Sequence, residues 1–147
     1  MTIKNDKIRI LGKGITALAL KDKFPNATLY DDKDFENYDL QSEELTVVSP
    51  GIPPYNNMVL NSKNVVSDYD LFEDIIPFSI WISGTNGKTT TTQMCQHLLK
   101  EYNSVCGGNI GIPLSSMDEK APIWILETSS FTLHYTNKSK PSIYLLL

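Results

Sequence analysis

The sequence predicts an α/β protein built on two parallel sheets, and three features carry that expectation. Short apolar runs alternate with helical stretches along the chain, the pattern of strand–helix–strand units. Twice, at Gly12 and again at Gly84, a glycine-rich turn follows an apolar strand and opens a helix. The final run, Ile143-Tyr144-Leu145-Leu146-Leu147, is continuously apolar, as a strand covered on both faces should be.

The first unit begins at Ile8-Arg9-Ile10-Leu11, turns at Gly12-Lys13-Gly14 and continues as a helix from Ile15 to Lys23. Pro25-Asn26 makes a turn, Ala27 to Tyr30 reads as a second strand, and Leu45 to Val48 as a third. Prolines in Ser49-Pro50-Gly51-Ile52-Pro53-Pro54 stop that strand, because they cannot donate to a ladder. A short helix, a strand at Val65-Val66 and a helix around Asp68 to Asp74, capped by Ser67, complete a first domain over residues 1–77. Pro77 marks the break. Residues 78–147 then supply a strand at Ser79 to Ile82, a helix from Thr89 to Tyr102, and strands at Ser104 to Cys106, Ile123 to Leu126 and Ser142 to Leu147. The expected architecture is a Rossmann-like front domain followed by a truncated P-loop-type α/β domain. The apolar final run is read as a sheet cut at a strand end, so the chain is expected to be part of a longer protein and inactive alone.

Composition narrows the function classes. A net charge of −4 argues against a non-specific nucleic-acid binder, which carries a basic excess. Two cysteines, Cys95 and Cys106, do not make a disulfide scaffold or a zinc site and are expected to be structural thiols. The start, MTIKNDKIRIL, lacks the long apolar run of a leader, and no stretch reaches the roughly 20 apolar residues of a membrane span. A cytoplasmic protein without a membrane span is expected.

The strongest chemical signal is Gly84-Thr85-Asn86-Gly87-Lys88-Thr89-Thr90. It is a shortened phosphate loop, with Gly84 only three positions before Gly87. The two glycines let main-chain N–H groups turn inward, and the following helix adds roughly +0.5 charge at its start. Lys88 can reach terminal phosphates, and Thr89 can offer its hydroxyl to Mg²⁺. Thr90 is read with the loop, while Thr91 and Thr92 are read as packing or capping residues. Glu127 ends the strand Ile123-Trp124-Ile125-Leu126 and should stand at the sheet edge from which the loop opens, a foothold for Mg²⁺ beside Thr89. Lys88 and Glu127 are therefore the candidate catalytic residues.

Gly12-Lys13-Gly14-Ile15-Thr16-Ala17 has the G-x-G-x-x-A form of a dinucleotide fingerprint, and Asp31 and Asp32 lie at the expected distance beyond it. On its own this fits a nicotinamide or flavin site, another nucleotide diphosphate, or a structural turn.

Taken together, the motifs resemble the Mur ligase family. The resemblance rests on the loop at residues 84–90, the Gly12 to Thr16 turn, Ser49-Pro50-Gly51-Ile52, Gly107-Gly108-Asn109-Ile110-Gly111 and Glu127-Thr128-Ser129-Ser130-Phe131. The loop alone is shared with folylpolyglutamate synthases. The Ser-Ser-Phe element and the Rossmann-like front favour the branch that adds D-glutamate to UDP-N-acetylmuramoyl-L-alanine, and sister ligases or a non-catalytic nucleotide-binding module are the alternatives. The resemblance implies three domains, ATP and Mg²⁺ as cofactors, an acyl-phosphate intermediate, and a monomeric full-length protein. It further implies that Gly14, Ile15 and Thr16 meet the uridine diphosphate, together with Ser49, Pro50 and Gly51. Asp31, Asp32 and Lys33 would surround the uracil, and Asn109 and Ser129 would contact the muramoyl part. Where family members often have Asp-Thr-Arg, this chain has Asp31-Asp32-Lys33, and lysine cannot reproduce a guanidinium fork. The family's histidine metal ligand and carbamylated lysine are expected beyond Leu147, and His97 and His134 are read as surface or structural residues.

Overall fold

Alternating side-chain direction along each strand decides how the two sheets meet. The computed structural model describes residues 8–147; the expectation that the first residues carry no leader falls on 1–7 and lies outside the described residues. In chain order the elements are β1 (Ile8–Leu11), α1 (Ile15–Lys23), β2 (Thr28–Tyr30), β3 (Leu45–Val48), α2 (Asn57–Leu60), β4 (Asn64–Ser67) and α3 (Asp68–Leu71). They continue with β5 (Phe78–Ser83), α4 (Lys88–Leu98), β6 (Ser104–Gly108), β7 (Ile123–Glu127), α5 (Ser130–Tyr135) and β8 (Ile143–Leu146). The first sheet has the order β2-β1-β3-β4 and the second β6-β7-β5-β8, with parallel pairing throughout. The chain is an α/β protein of two parallel sheets.

One core joins the sheets. Ile8, Ile10 and Val47 of the first sheet share a buried cluster with Trp81, Trp124 and Leu126 of the second, bridged by Ala17 and Leu20 of α1 and by Tyr69 and Phe72. The period of two then sends Ile80, Ile82 and Ile125 to the other face, where Cys95 and Leu99 pack on them. Leu11 and Val48 likewise turn away, toward Tyr38, Met58 and Tyr135. Both cysteines are free and half-buried.

The short α3 pins the two parts together. Ser67 caps it by accepting from the Asp70 N–H and also accepts from the Thr136 hydroxyl. The Asp70 carboxylate takes three main-chain N–H bonds, from Asn137 at 2.7 Å, Lys138 at 2.9 Å and Ser139 at 2.8 Å. Hydrogen bonds to a charged group contribute about 1.5 kcal/mol or more each, so this is a firm joint for a four-residue helix.

Three expectations change in detail. The helix read as Thr89 to Tyr102 is α-helical only to Leu98 and closes in a 3-10 turn, Lys100–Tyr102, ended by Asn103 at φ 55°. The strand read as Ser104 to Cys106 runs on through Gly107 and Gly108, which pair with Leu126 and Glu127. The helix read around Asp68 to Asp74 is α-helical only to Leu71 and is followed by a 3-10 turn, Glu73–Ile75. The apolar run at the end forms β8, which pairs with β5. No helix among the described residues is long and apolar enough to cross a membrane.

Burial pushes the Asp68 carboxyl from 3.8 up to about 7, against a main-chain bond from Tyr69 N–H. A group raised in the fold stabilises it while protonated. That contribution is complete below the unfolded value of 3.8 and is lost as the pH climbs through about 7. Asp68→Asn keeps an acceptor for Tyr69, so the loss of stability between about pH 4 and about pH 8 is expected to shrink. Thermal unfolding across that range checks it, and an unchanged slope would assign the titration elsewhere.

Candidate functional site

The phosphate loop opens where β5 ends. Gly84 at φ 145° and Gly87 at φ 81° occupy backbone regions that side chains disfavour. Gly87 is the N-cap of α4 and no side chain bonds the helix's first amides, which leaves them for a ligand. Lys88 Nζ donates to the Gly84 carbonyl at 2.8 Å, so the lysine lies back across its own loop. Thr85, Asn86, Thr89 and Thr90 are exposed around it. Thr92, one turn on, is buried with its hydroxyl unpartnered among the described residues.

Glu127 stands beside the loop because β7 pairs with β5 in a register that sets Ile82 against Glu127. The side chain is 2% exposed. Oε2 accepts from the Thr89 hydroxyl at 2.8 Å, while Oε1 is buried without a partner among the described residues. An orphaned carboxylate oxygen costs free energy that a cation would relieve, so the pair fits a divalent metal. Among the described residues no group of three or more His, Cys, Asp or Glu could hold one. A metal here would therefore lean on Glu127, Thr89 and oxygens from its ligand, the habit of Mg²⁺.

The main chain of Glu127 is clamped as well. Its carbonyl accepts from Asn109 N–H at 2.8 Å and from the Tyr69 hydroxyl at 3.3 Å. Gly108 makes this contact possible, since a Cβ there would lie 2.6 Å from the Glu127 carbonyl oxygen and 2.8 Å from Tyr69 Oη. Burial raises the Tyr69 hydroxyl well above its ordinary value, so it stays a donor.

In the first sheet the strand order reverses between β1 and β3, the place where open α/β sheets set their ligand crevices. The Gly12 to Gly14 turn and Ser49-Pro50-Gly51 follow those two strands. Gly14 caps α1 without a side-chain bond, Ile15 is 73% exposed, Thr16 is half-buried, and Ser49 Oγ is buried without a partner among the described residues. Lys13 Nζ binds Asp34 at 2.7 Å and Asp31 at 3.2 Å. The bond with Asp34, then that with Asp31, raises the lysine's pKa, and the same bond lowers that of Asp34. Asp31 caps the 3-10 turn Asp32–Asn37, Asp32 accepts from Asn56, and the Lys33 side chain is exposed. Ser129 joins the two regions: it caps α5 by accepting from Thr132 N–H and donates to the Pro50 carbonyl at 3.3 Å. His97 and His134 are exposed, and His134 meets Tyr135 edge-on.

Residues 82–143 match the Mur ligase middle domain. Over 96% of its length the chain is 48% identical to a UDP-N-acetylmuramoylalanine–D-glutamate ligase of Campylobacter jejuni, and 45% identical to one of Helicobacter pylori. The chain belongs to the Mur ligase family. It spans 40% and 39% of the lengths of those two relatives. A solved Neisseria meningitides UDP-N-acetylmuramate:L-alanyl-gamma-D-glutamyl-meso-diaminopimelate ligase is 17% identical, with a TM-score of 0.49 over 97% of this chain and 61% of that one.

In this Mur ligase chain the sequence reading named the loop, Glu127, Asn109 and Ser129 but missed Tyr69, Asp70 and Asn56. The signal for Asn56 was present, since an asparagine after Pro-Pro and before a short apolar run reads as an N-cap. Glu127→Gln removes a buried, half-satisfied charge. Without metal it is expected to raise stability by on the order of 1 kcal/mol. If the loop takes a nucleoside triphosphate with Mg²⁺, the substitution should also abolish any thermal shift that Mg²⁺ adds to that of the nucleotide. Calorimetric melting with and without Mg²⁺ checks both, and a retained Mg²⁺ shift would remove Glu127 from the metal's contacts.

Proposed function

We propose that the protein containing this chain is an ATP-dependent ligase that joins D-glutamate to UDP-N-acetylmuramoyl-L-alanine in peptidoglycan precursor synthesis. The observation that carries the reading is the buried Glu127 carboxylate bonded to Thr89 beside an open phosphate loop. It occurs in a chain 48% identical to a relative named for that ligation. In this reading residues 1–77 hold the uridine nucleotide and residues 78–147 begin the ATP-binding domain, within a cytoplasmic protein that is monomeric at full length.

The chemistry follows from what each group can do. The amides of residues 84–89 and the start of α4 hold the polyphosphate of ATP. Lys88 leaves the Gly84 carbonyl and places its charge on the terminal phosphate, where negative charge spreads as the phosphoryl group moves to the substrate's carboxylate. Mg²⁺, when bound, would be held by Glu127 and Thr89 and would neutralise phosphate charge. The amine of D-glutamate then attacks the acyl phosphate, and the tetrahedral intermediate collapses to the amide with loss of phosphate. In the front crevice Gly14, Ile15 and Thr16, with Ser49, Pro50 and Gly51, would face the diphosphate. Asp31, Asp32 and Lys33 would close the uridine end. Asn109, whose N–H bonds the Glu127 carbonyl, and Ser129, which bonds the Pro50 carbonyl, would contact the muramoyl part.

Lys88→Ala in the full-length protein is expected to lower kcat by about a hundredfold or more, the scale seen when a charge-stabilising donor is removed. Affinity for the uridine substrate should stay the same. A phosphate-release assay with titration of the uridine nucleotide measures both, and unaltered ATP turnover would overturn the assignment.

A further inference from the structure

The side chain and the main chain of Glu127 are held from opposite faces of the second sheet. Alternation along β7 puts Glu127 on the face of Ile125, under α4, where Oε2 meets the Thr89 hydroxyl at 2.8 Å. Trp124 and Leu126 point the other way, into the core that the two sheets share, and Tyr69 of α3 lies in that core. From there its hydroxyl donates to the Glu127 carbonyl at 3.3 Å. The residue that carries the candidate metal carboxylate is therefore gripped on one side by the phosphate-loop helix and on the other by a residue of the first sheet's unit.

The ladder alone does not fix this point. Glu127 is the last residue of β7. Thr128 N–H bonds the Ile82 carbonyl at 2.9 Å toward β5, and Asn109 N–H bonds the Glu127 carbonyl at 2.8 Å toward β6. Both bonds run along the sheet, so they resist a tilt of the strand end out of it only weakly. The Tyr69 bond comes from outside the sheet. Mg²⁺ demands short bonds in near-octahedral geometry, so a small tilt of its carboxylate matters.

Tyr69 has little choice of partner. It is 1% exposed, its ring stands edge-on to Trp81 at 4.7 Å, and the Glu127 carbonyl is its hydroxyl's one acceptor among the described residues. The root of the ring is fixed too, because Ser67 caps α3 and the Asp70 carboxylate takes the N–H bonds of Asn137, Lys138 and Ser139. At 3.3 Å the Tyr69 bond is too long to add much stability, and without it the carbonyl keeps its bond from Asn109. Its effect is on where the carboxylate stands.

We infer that Tyr69 is a positioning residue for the metal site: its hydroxyl holds the end of β7 so that Glu127 and Thr89 present their oxygens to Mg²⁺ together. This rests on the ligase reading above and adds a residue outside the phosphate loop and its metal contacts.

The test is titration calorimetry of the full-length protein with the non-hydrolysable analogue adenylyl imidodiphosphate, with and without Mg²⁺. Tyr69→Phe keeps the ring and removes the donor. The Mg²⁺ complex of the analogue should bind this variant about tenfold more weakly than the unaltered protein, the lower end of what is lost when a group behind a metal-holding residue is removed. The metal-free analogue should bind both within about twofold, and the unfolding temperatures should agree within about 2 °C. If Glu127→Gln loses the gain from Mg²⁺ while Tyr69→Phe keeps it within about twofold, the inference fails and the ligase reading stands. It fails as well if Tyr69→Phe weakens metal-free and metal-bound binding alike, since the residue then only holds the fold. If Mg²⁺ adds nothing to analogue binding in the unaltered protein, the ligase reading fails and takes the inference with it.

Discussion

The pairing of β7 with β5 is the constraint on which the site depends. A strand rises about 3.3 Å per residue and turns its side chains over at each step. A slip of one residue would send Glu127 to the opposite face and break its bond to Thr89. The observed register is enforced from both sides. On one face Trp81, Trp124 and Leu126 must reach the core shared with the first sheet, and on the other Ile80, Ile82 and Ile125 must reach the underside of α4. Beyond the ladder, Thr128 bonds the Ile82 carbonyl through both its N–H and its hydroxyl. The position of a single carboxylate is thus set by the burial of apolar side chains on both faces of the sheet.

The first sheet takes part in that positioning. Tyr69 grows out of α3, is buried against Trp81 in an edge-on contact, and ends on the Glu127 carbonyl. One residue further, Asp70 collects the three N–H groups that follow α5. Since α5 starts at the cap Ser129, which also bonds Pro50, the two candidate sites are connected through a path of hydrogen bonds and one edge-on aromatic contact. If the protein acts as proposed, fixed spacing between the first sheet's turn and the phosphate loop is what a reaction between two bound molecules would require, because misplacement by about an ångström costs rate steeply.

Much of this was legible in the sequence, for local reasons. The helix Ile15–Lys23 and the strand Leu45–Val48 follow from apolar patterning bounded by glycine and proline, and the phosphate loop follows from its glycine spacing. Gly107 and Gly108 read as loop because glycine weakens strands, yet they are in β6, where the close approach of Tyr69 and Glu127 leaves no space for a side chain at 108. The premature end of α4 was hidden because the last turn tightens to 3-10 before Asn103, and that choice depends on packing rather than propensity. Tyr69 and Asp70 could not be found at all: their partners lie 58 and 67 to 69 residues away, and no spacing rule reaches that far.

Two lysines sit in glycine turns, Lys13 in the first and Lys88 in the second, and composition cannot rank them. Their partners do. Lys13 is held by two carboxylates, and a phosphate would have to displace charge-assisted bonds to claim it. Lys88 is held by a neutral carbonyl of its own loop, a weaker bond that reforms to a phosphate oxygen with a gain. In a chain of net charge −4, anion binding cannot rest on the overall field. It has to rest on amides and on a cation that internal carboxylates leave free. Of the two turns, the second meets that requirement in full. In the proposed reading the first would bind a diphosphate chiefly with the amides at the start of α1, and Asp31 and Asp34 would serve to hold Lys13 in place rather than to oppose the ligand.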